Sequence, residues 1–145
     1  MMPRRQFGST QLEVSPIGLG MAALGRPGYI NLGHAQDIRS TEVEAMERHA
    51  HYVLHTAWEF GVRYFDAARS YGKAEQFLSS WFAENDVPAD EVAVGSKWGY
   101  TYTADWQVEA DEHEIKEHSL NVLQRQWGET QGNIGGYLNL YQIHS

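Results

Sequence analysis

The sequence predicts an α/β fold built on a parallel sheet, and two observations support this. Short apolar runs typical of buried strands alternate with amphipathic stretches typical of helices, in the order hairpin, then β-α-β-α-β-α-β. Glycine, proline and asparagine residues separate these runs, where turns are expected. Because parallel strands are joined by right-handed crossovers, the carboxyl ends of all four strands should lie at one edge of the sheet.

The first 40 residues are expected to form a β-hairpin, a short strand and a loop. Residues 4–7 and 12–14 flank the turn-forming residues 8–11, which is a hairpin pattern. Residues 17–20 then predict a short buried strand. Residues 25–40 are rich in glycine and proline and predict an irregular loop.

Two helices with a strand between them are predicted next. The first helix has an N-cap at Ser40 or Thr41 and ends at Gly61. Residues 62–65 form a buried strand that ends at Asp66. The apolar stripe of the first helix comprises Met46, Ala50, Val53, Ala57 and Phe60. The stripe of the second helix comprises Ala74, Phe77, Leu78, Trp81 and Phe82.

The last third of the chain predicts two more strands around a third helix. Residues 92–96 form a buried strand that ends at Lys97 and Trp98, and residues 100–111 follow as a polar loop. Residues 128–136 predict a glycine-rich surface loop, and residues 138–143 a fourth strand ending at His144. The expected stripe of the third helix comprises Ile115, Ser119, Val122, Leu123 and Trp127.

Length and composition indicate one folded domain over residues 1–145 and exclude several functions. The chain is 42% hydrophobic and has five tryptophans, which is typical of a globular core. A net charge of −8 disfavours nucleic acids and anionic membranes as partners. The absence of cysteine excludes disulfides, zinc–thiolate sites and a cysteine nucleophile. With no apparent signal peptide or membrane-spanning run, we expect a cytoplasmic protein.

Three successive strands end in residues that can carry charge or a proton. Asp66, Lys97 and His144 follow the second, third and fourth strands, and Tyr71 lies five residues after Asp66. An ionisable group at the end of an apolar strand is costly to bury unless it is paired. Since the strand ends share one rim, these four side chains are expected to form a common site. The alternative is that each has an independent structural role.

At these residues the chain resembles the aldo/keto reductase superfamily. The matching pieces are Phe65-Asp66-Ala67-Ala68 with Tyr71-Gly72, then Ser96-Lys97-Trp98, then Leu140-Tyr141-Gln142-Ile143-His144-Ser145. Gly18-Leu19-Gly20-Met21 is similar to the family's first strand and loop. The resemblance implies the N-terminal half of a (β/α)8 TIM barrel, whose floor is closed by the hairpin. It covers essentially the whole chain.

The resemblance also implies an activity, the reduction of an aldehyde or ketone by NADPH. Tyr71 would protonate the carbonyl oxygen, and Lys97 would make Tyr71 a better acid by favouring its anion. Asp66 would hold Lys97, and His144 would orient the carbonyl. These four residues are the expected catalytic set.

The resemblance further implies a cofactor site for NADP(H). Gly20, Met21 and Asp66 are the expected cofactor-binding residues. Trp98, just past Lys97, either lines the substrate pocket or fills the top of the barrel, and the sequence leaves both open.

Other motifs point less clearly to chemistry. The loose dinucleotide fingerprint at residues 18–23, with Asp37 beyond it, lacks the following helix that a Rossmann fold needs. His51 and His55 have metal-ligand spacing, but a solvated helix face is expected, so no metal site is predicted. Glu75 is interpreted as an acid that favours the N-terminus of its helix.

Four strands are half of what the resemblance implies, since a TIM barrel typically takes about 250 residues. We therefore expect a truncated barrel domain with open sheet edges that favour self-association, in which Leu138, Leu140 and Ile143 are poorly covered. Three functions stay open: the catalytic half of a carbonyl reductase, a non-catalytic interaction module, and an inert product. Turnover of an aromatic aldehyde with NADPH separates the first from the others.

Overall fold

The computed structural model describes residues 2–28 and 42–145. Ser40, Thr41 and Asp37 lie outside the described residues, as does most of the loop predicted over residues 25–40. The strands are β1 (Arg5–Gln6), β2 (Glu13–Val14), β3 (Leu19–Gly20), β4 (Tyr64–Asp66), β5 (Ala93–Trp98), β6 (Tyr100–Tyr102), β7 (Glu114–Lys116) and β8 (Leu138–Ile143). The helices are α1 (Ala22–Gly25), α2 (Val43–Glu59), α3 (Ala74–Glu84) and α4 (Leu120–Ile134), with a 3-10 turn at Ala89–Glu91.

A parallel sheet in the order β3-β4-β5-β8 forms the centre of the fold. Phe65 lies opposite Leu19 on one side and opposite Val94 on the other. The predicted α/β class, with four parallel strands alternating with helices, is confirmed. The N-terminal hairpin is also present, as the antiparallel pair β1–β2.

The aromatic core lies between the sheet and the helices. All five predicted stripe residues of α3 are buried. The ring centroids of Trp81 and Phe82 lie 6.1 and 5.9 Å from that of Phe65 on β4. Burying a side chain of this size contributes roughly 1.5–3 kcal/mol, so these contacts fix α3 against the strand that carries Asp66.

The stripe of α2 is partly as predicted. Met46 and Ala50 are buried, but Phe60 is 72% exposed and Leu54 takes its place in the core. The helix ends before Gly61, which has φ +92° and provides the left-handed residue that follows many helices.

The prediction of a glycine-rich surface loop at residues 128–136 is wrong, because α4 continues to Ile134. Its N-cap is Ser119, whose Oγ accepts from the amide of Val122 at 3.2 Å. The buried positions recur every four residues and comprise Val122, Gln126, Thr130 and Ile134. Two of these are polar, so the apolar stripe predicts a third helix but does not reveal that it continues to Ile134.

The prediction of a polar loop at residues 100–111 is also wrong in its first part. Residues 100–102 form β6, which pairs antiparallel with β7. Ile115, expected on the third helix, lies in β7 and is 44% exposed. Gln126 fastens this hairpin to α4, since its Nε2 donates to the Tyr100 carbonyl and its Oε1 accepts from the Gly99 amide, each at 2.8 Å.

Helices cover one face of the parallel sheet, and the opposite face is more exposed to solvent. Phe65, Val94 and Ser96 point to the helices and are fully buried. Their strand neighbours Asp66 and Lys97 point to the opposite face and are partly exposed. On β8, Leu138 and Leu140 are half-buried and Ile143 is 70% exposed, so this strand is incompletely covered. None of the helices in the described part of the chain combines the length and apolar character needed to cross a membrane.

Candidate active site

Asp66 and Lys97 form an ion pair at the carboxyl ends of β4 and β5. Lys97 Nζ donates to Asp66 Oδ2 at 2.5 Å and to the Ala67 carbonyl at 2.9 Å. The two strands are direct neighbours in the sheet, so the pair is set by backbone register and not by a long loop. Both side chains are mostly buried, which makes each charge dependent on the other.

Tyr71 reaches the same ammonium from the loop between β4 and α3. Its phenolic oxygen lies 3.5 Å from Lys97 Nζ, at the outer limit of a hydrogen bond. The loop is held by backbone bonds, because the Arg69 amide donates to the Lys97 carbonyl at 3.0 Å. Next to Tyr71, Gly72 has φ +59°, and a Cβ there would lie 2.4 Å from the Gly25 carbonyl oxygen. Only glycine fits this close approach.

His144 completes the group from the end of β8. Its ring stands edge-on to the ring of Tyr71, with centroids 5.6 Å apart. Nδ1 lies 3.4 Å from Ser70 Oγ, and the His144 amide donates to the Trp98 carbonyl at 2.9 Å. Asp66, Tyr71, Lys97 and His144 therefore lie together at one rim of the sheet.

Burial raises the pKa of the Tyr71 phenol, and the charges of Asp66 and Glu114 act in the same direction, against Arg26. This direction is opposite to the lowering that we expected from Lys97. The physical reason is that burial disfavours the charged phenolate, and the nearby carboxylate of Asp66 adds to this effect. Burial lowers the pKa of His144, and the charge of Lys97 adds to this effect. A neutral imidazole therefore faces a protonated phenol.

A cavity of about 360 Å³ lies beside the ion pair on the open face of the sheet. Its lining includes Gly20, Asp66, Lys97 and Gln142. A Cβ at Gly20 would meet nothing within 4 Å, so the space over this residue is free. Met21, by contrast, is fully buried in the hydrophobic core and is not among the lining residues.

Gln142 is a residue that the sequence did not single out. It lies opposite Lys97 in the register of β5 and β8, and it lines the cavity. Its Oε1 atom is buried and has no hydrogen-bond partner. A buried acceptor without a donor is unusual, which marks this oxygen as a candidate ligand contact.

Trp98 packs at the same end of β5 but is half-buried. Its ring centroid lies 5.4 Å from that of His118, edge to face. His118 in turn donates from Nε2 to the His144 carbonyl at 2.6 Å, so Trp98 borders the group through this histidine.

Sequence reasoning also missed the charges beneath the Tyr71 loop. Glu75, interpreted as an N-terminal helix acid, is fully buried and pairs with Arg69 at 2.7 Å. A signal was available, because Glu75 lies three residues before Leu78 and seven before Phe82, on the buried stripe of α3. Arg26 is buried too, and its Nη1 donates to the Ser70 carbonyl at 2.9 Å.

The solvated face expected for His51 and His55 is correct for His55, which is exposed, but wrong for His51. His51 lies between α2 and α3, where Nδ1 is 3.0 Å from Glu84 Oε2 and Nε2 is 2.8 Å from Ser80 Oγ. His51 therefore joins α2 to α3 by hydrogen bonds. Within residues 2–28 and 42–145, no group of three or more His, Cys, Asp or Glu side chains is placed to hold a metal ion.

One family model matches the chain, and solved structures share its fold. The model of the aldo/keto reductase family matches residues 16–145. A structure of an aldo-keto reductase from Pseudomonas aeruginosa aligns with a TM-score of 0.70 and 22% identity, over 98% of this chain and 46% of that one. The glycerol dehydrogenase of Gluconobacter oxydans aligns with a TM-score of 0.65 and 17% identity, over 97% and 38%. The comparison with curated proteins gave no match. The chain thus spans less than half the length of these two solved relatives.

Proposed function

Because this chain belongs to the aldo/keto reductase family, we propose that it provides the proton-donating half of a carbonyl reductase that uses NADP(H). The proposal rests on one observation. Lys97 Nζ is within hydrogen-bond distance of both Asp66 Oδ2 and Tyr71 Oη, at 2.5 and 3.5 Å. A buried ion pair contributes little net free energy to folding, but an ammonium next to a phenol suits proton transfer.

Tyr71 is the proposed proton donor. Reduction of a carbonyl builds negative charge on its oxygen, and a proton must arrive as that charge develops. The O–H bond of Tyr71 breaks while an O–H bond forms on the substrate, and the phenolate is left on the protein. Because burial raises the pKa of Tyr71, the phenol holds its proton at neutral pH, and donation requires stabilisation of the phenolate as it forms.

Lys97 acts when the phenolate forms. A cation 3.5 Å from the phenolic oxygen favours the anion more than the neutral phenol, so its stabilisation grows along the proton transfer. Asp66 fixes the ammonium at this position. In this scheme Lys97 contributes to the transition state, although the resting pKa of Tyr71 is raised.

His144 is proposed to orient the substrate. Its lowered pKa leaves the ring neutral, with one N–H to donate to a carbonyl oxygen. The ring of Tyr71 is 5.6 Å away from it, centroid to centroid, so one oxygen can be approached by both groups. Trp98 is proposed as a wall of the substrate pocket.

The cavity beside the ion pair fits a nicotinamide ring and its carboxamide. Gly20 leaves free space, Asp66 and Lys97 are polar neighbours, and the unpartnered Gln142 Oε1 can accept from an amide N–H. When bound, a nicotinamide cofactor supplies the hydride. Met21 is buried and its amide already donates to the Asp66 carbonyl at 2.8 Å, so it stays a candidate through the family resemblance alone. NADP(H) and a cytoplasmic setting are proposed from the family resemblance and the lack of cysteine.

The test begins with binding. Titration of the 145-residue chain with NADPH, followed by tryptophan fluorescence, should saturate, and Gln142→Leu should weaken the affinity. Addition of an aromatic aldehyde should then consume NADPH. Binding without turnover would instead favour the non-catalytic module, and the absence of both would overturn the proposal.

A further inference from the structure

Glu75 is connected to both halves of the proposed proton-donating pair. We propose that Glu75 is a positioning residue that holds the Tyr71 loop and the Lys97 strand in one arrangement. The inference rests on the proposed function for its significance, but the contacts that carry it are independent of any cofactor.

The Glu75 carboxyl group is fully buried and accepts four hydrogen bonds. Arg69 Nη1 and Asn133 Nδ2 donate to Oε1 at 2.7 and 3.0 Å. Ser96 Oγ and Thr130 Oγ1 donate to Oε2 at 2.7 and 2.8 Å. All four partners are donors, so the group serves as an acceptor-only carboxylate with its lone pairs satisfied.

Arg69 carries the connection to Tyr71, which is two residues further along the loop. Its guanidinium bridges Glu75 to Glu129, with Nε and Nη2 at 3.0 and 2.5 Å from Glu129 Oε2. Burial acts to lower the pKa of Arg69, but the charges of Glu75 and Glu129 outweigh it and raise the pKa. Arg69 is thus a fixed cation, and its amide donates to the Lys97 carbonyl.

Ser96 carries the connection to Lys97, its neighbour on β5. On a strand, adjacent side chains point to opposite faces, so Ser96 faces the helices while Lys97 faces the cavity. The hydrogen bond from Ser96 to Glu75 on the helix side of the sheet therefore also restrains the backbone that positions Lys97. One carboxylate therefore restrains the phenol and the ammonium from the opposite side of the sheet.

If Glu75 only stabilised the fold, loss of a partner on either side should affect Tyr71 alike. Thr130 and Asn133 lie on α4, whereas Arg69 precedes Tyr71 by two residues and Ser96 precedes Lys97 by one. Removing one hydrogen bond to Glu75 from β5 and, separately, one from α4 distinguishes a positioning role from a purely structural one. Ser96→Ala and Thr130→Val each remove one hydroxyl donor from the same Oε2 atom.

The test follows the Tyr71 phenol by NMR in the intact chain labelled with [13Cζ]tyrosine, assigned by the signal lost in Tyr71→Phe. The charged or titratable groups that face this phenol are Asp66, Lys97, Glu114, Arg26 and His144. In Glu75→Gln, the pKa of Tyr71 should fall toward its ordinary value of 10.0, because a released loop exposes the phenol to water. Thr130→Val should leave the titration unchanged.

If Glu75→Gln does not fold, the same NMR titration of Tyr71 is made in Ser96→Ala, which should also lower the pKa of Tyr71. An unchanged titration in the folded variant would overturn the inference, as would an equal shift in Thr130→Val. The measurement uses neither NADPH nor aldehyde. A chain that fails to turn over substrate but shows the selective shift refutes the proposed function and supports the positioning role.

Discussion

Lys97 Nζ and Asp66 Oδ2 lie 2.5 Å apart at the carboxyl ends of two adjacent parallel strands. This contact links the ammonium group of the proposed site to an acid whose position is set by strand pairing. Burial opposes ionisation of the nearby Tyr71 phenol, and the carboxylate that holds the ammonium adds to this effect.

Replacement of that acid should affect both neighbouring groups. In Asp66→Asn, the pKa of Tyr71 and the pKa of His144 should both fall, since the charge of Asp66 raises each of them. Loss of the partner of Lys97 should also lower the free energy of unfolding by about 1–3 kcal/mol. NMR titration and urea denaturation measure these effects. The exposed Asp90→Asn is the control, and a rise in the pKa of Tyr71 would count against the assignment.

The turn after Tyr71 should tolerate no side chain. Gly72→Ala places a Cβ 2.4 Å from the Gly25 carbonyl oxygen, with φ at +59°. A non-glycine residue held in this region costs about 1–3 kcal/mol before the clash is counted. Thermal and urea denaturation should show this loss. Gly20→Ala, where a Cβ meets nothing within 4 Å, should fold with near-normal stability, and equal losses would contradict the account.

Alanine should stabilise α4 at its two interior glycines. A Cβ at Gly128 or Gly132 meets nothing within 4 Å. Alanine at a helix interior is favoured over glycine by about 0.5–1 kcal/mol. Urea denaturation of Gly128→Ala and Gly132→Ala should therefore show higher midpoints. If residues 128–136 formed a loop, the two variants would show no gain, which is the outcome that refutes the helix.

Acid should destabilise the chain through His144. Its pKa is lowered in the folded state, so the neutral ring is favoured there and the contribution to stability is present above the ordinary pKa of 6.5. That contribution is lost as the pH falls through the lower folded value. Urea denaturation from about pH 7 to pH 5 should show a smaller loss in His144→Asn than in the unaltered chain. If the two proteins lost stability equally over this pH range, the lowered pKa assigned to His144 would be contradicted.

Much of the fold could be predicted because its signals are apolar and local. The stripe of α3 is continuous from Ala74 to Phe82, and three of the short apolar runs lead to Asp66, Lys97 and His144. The second half of the last helix was missed because Gln126 and Thr130 hold its buried face by hydrogen bonds, which hydrophobic periodicity does not register. Pairing of β6 with β7 depends on partners twelve or more residues apart, beyond the reach of a local pattern.

The candidate site was predictable to the same extent. Strand ends and the family resemblance indicate Asp66, Lys97 and His144, and the structure places them at one rim. The ion pair between Arg69 and Glu75 behind these residues could not be predicted, because each of the two polar side chains is buried through its contact with the other. The pKa of Tyr71 depends on burial and on charges from distant segments, neither of which the sequence displays.

The central claim is that Tyr71 donates the proton in a carbonyl reduction. Its most direct test is the rate of NADPH consumption with an aromatic aldehyde, compared between the unaltered chain and Tyr71→Phe at matched folding and NADPH occupancy. General acid catalysis typically contributes about 10²–10⁴-fold, so the phenylalanine variant should lose turnover by at least about 100-fold while it still binds NADPH. Turnover by Tyr71→Phe at the rate of the unaltered chain would contradict the claim.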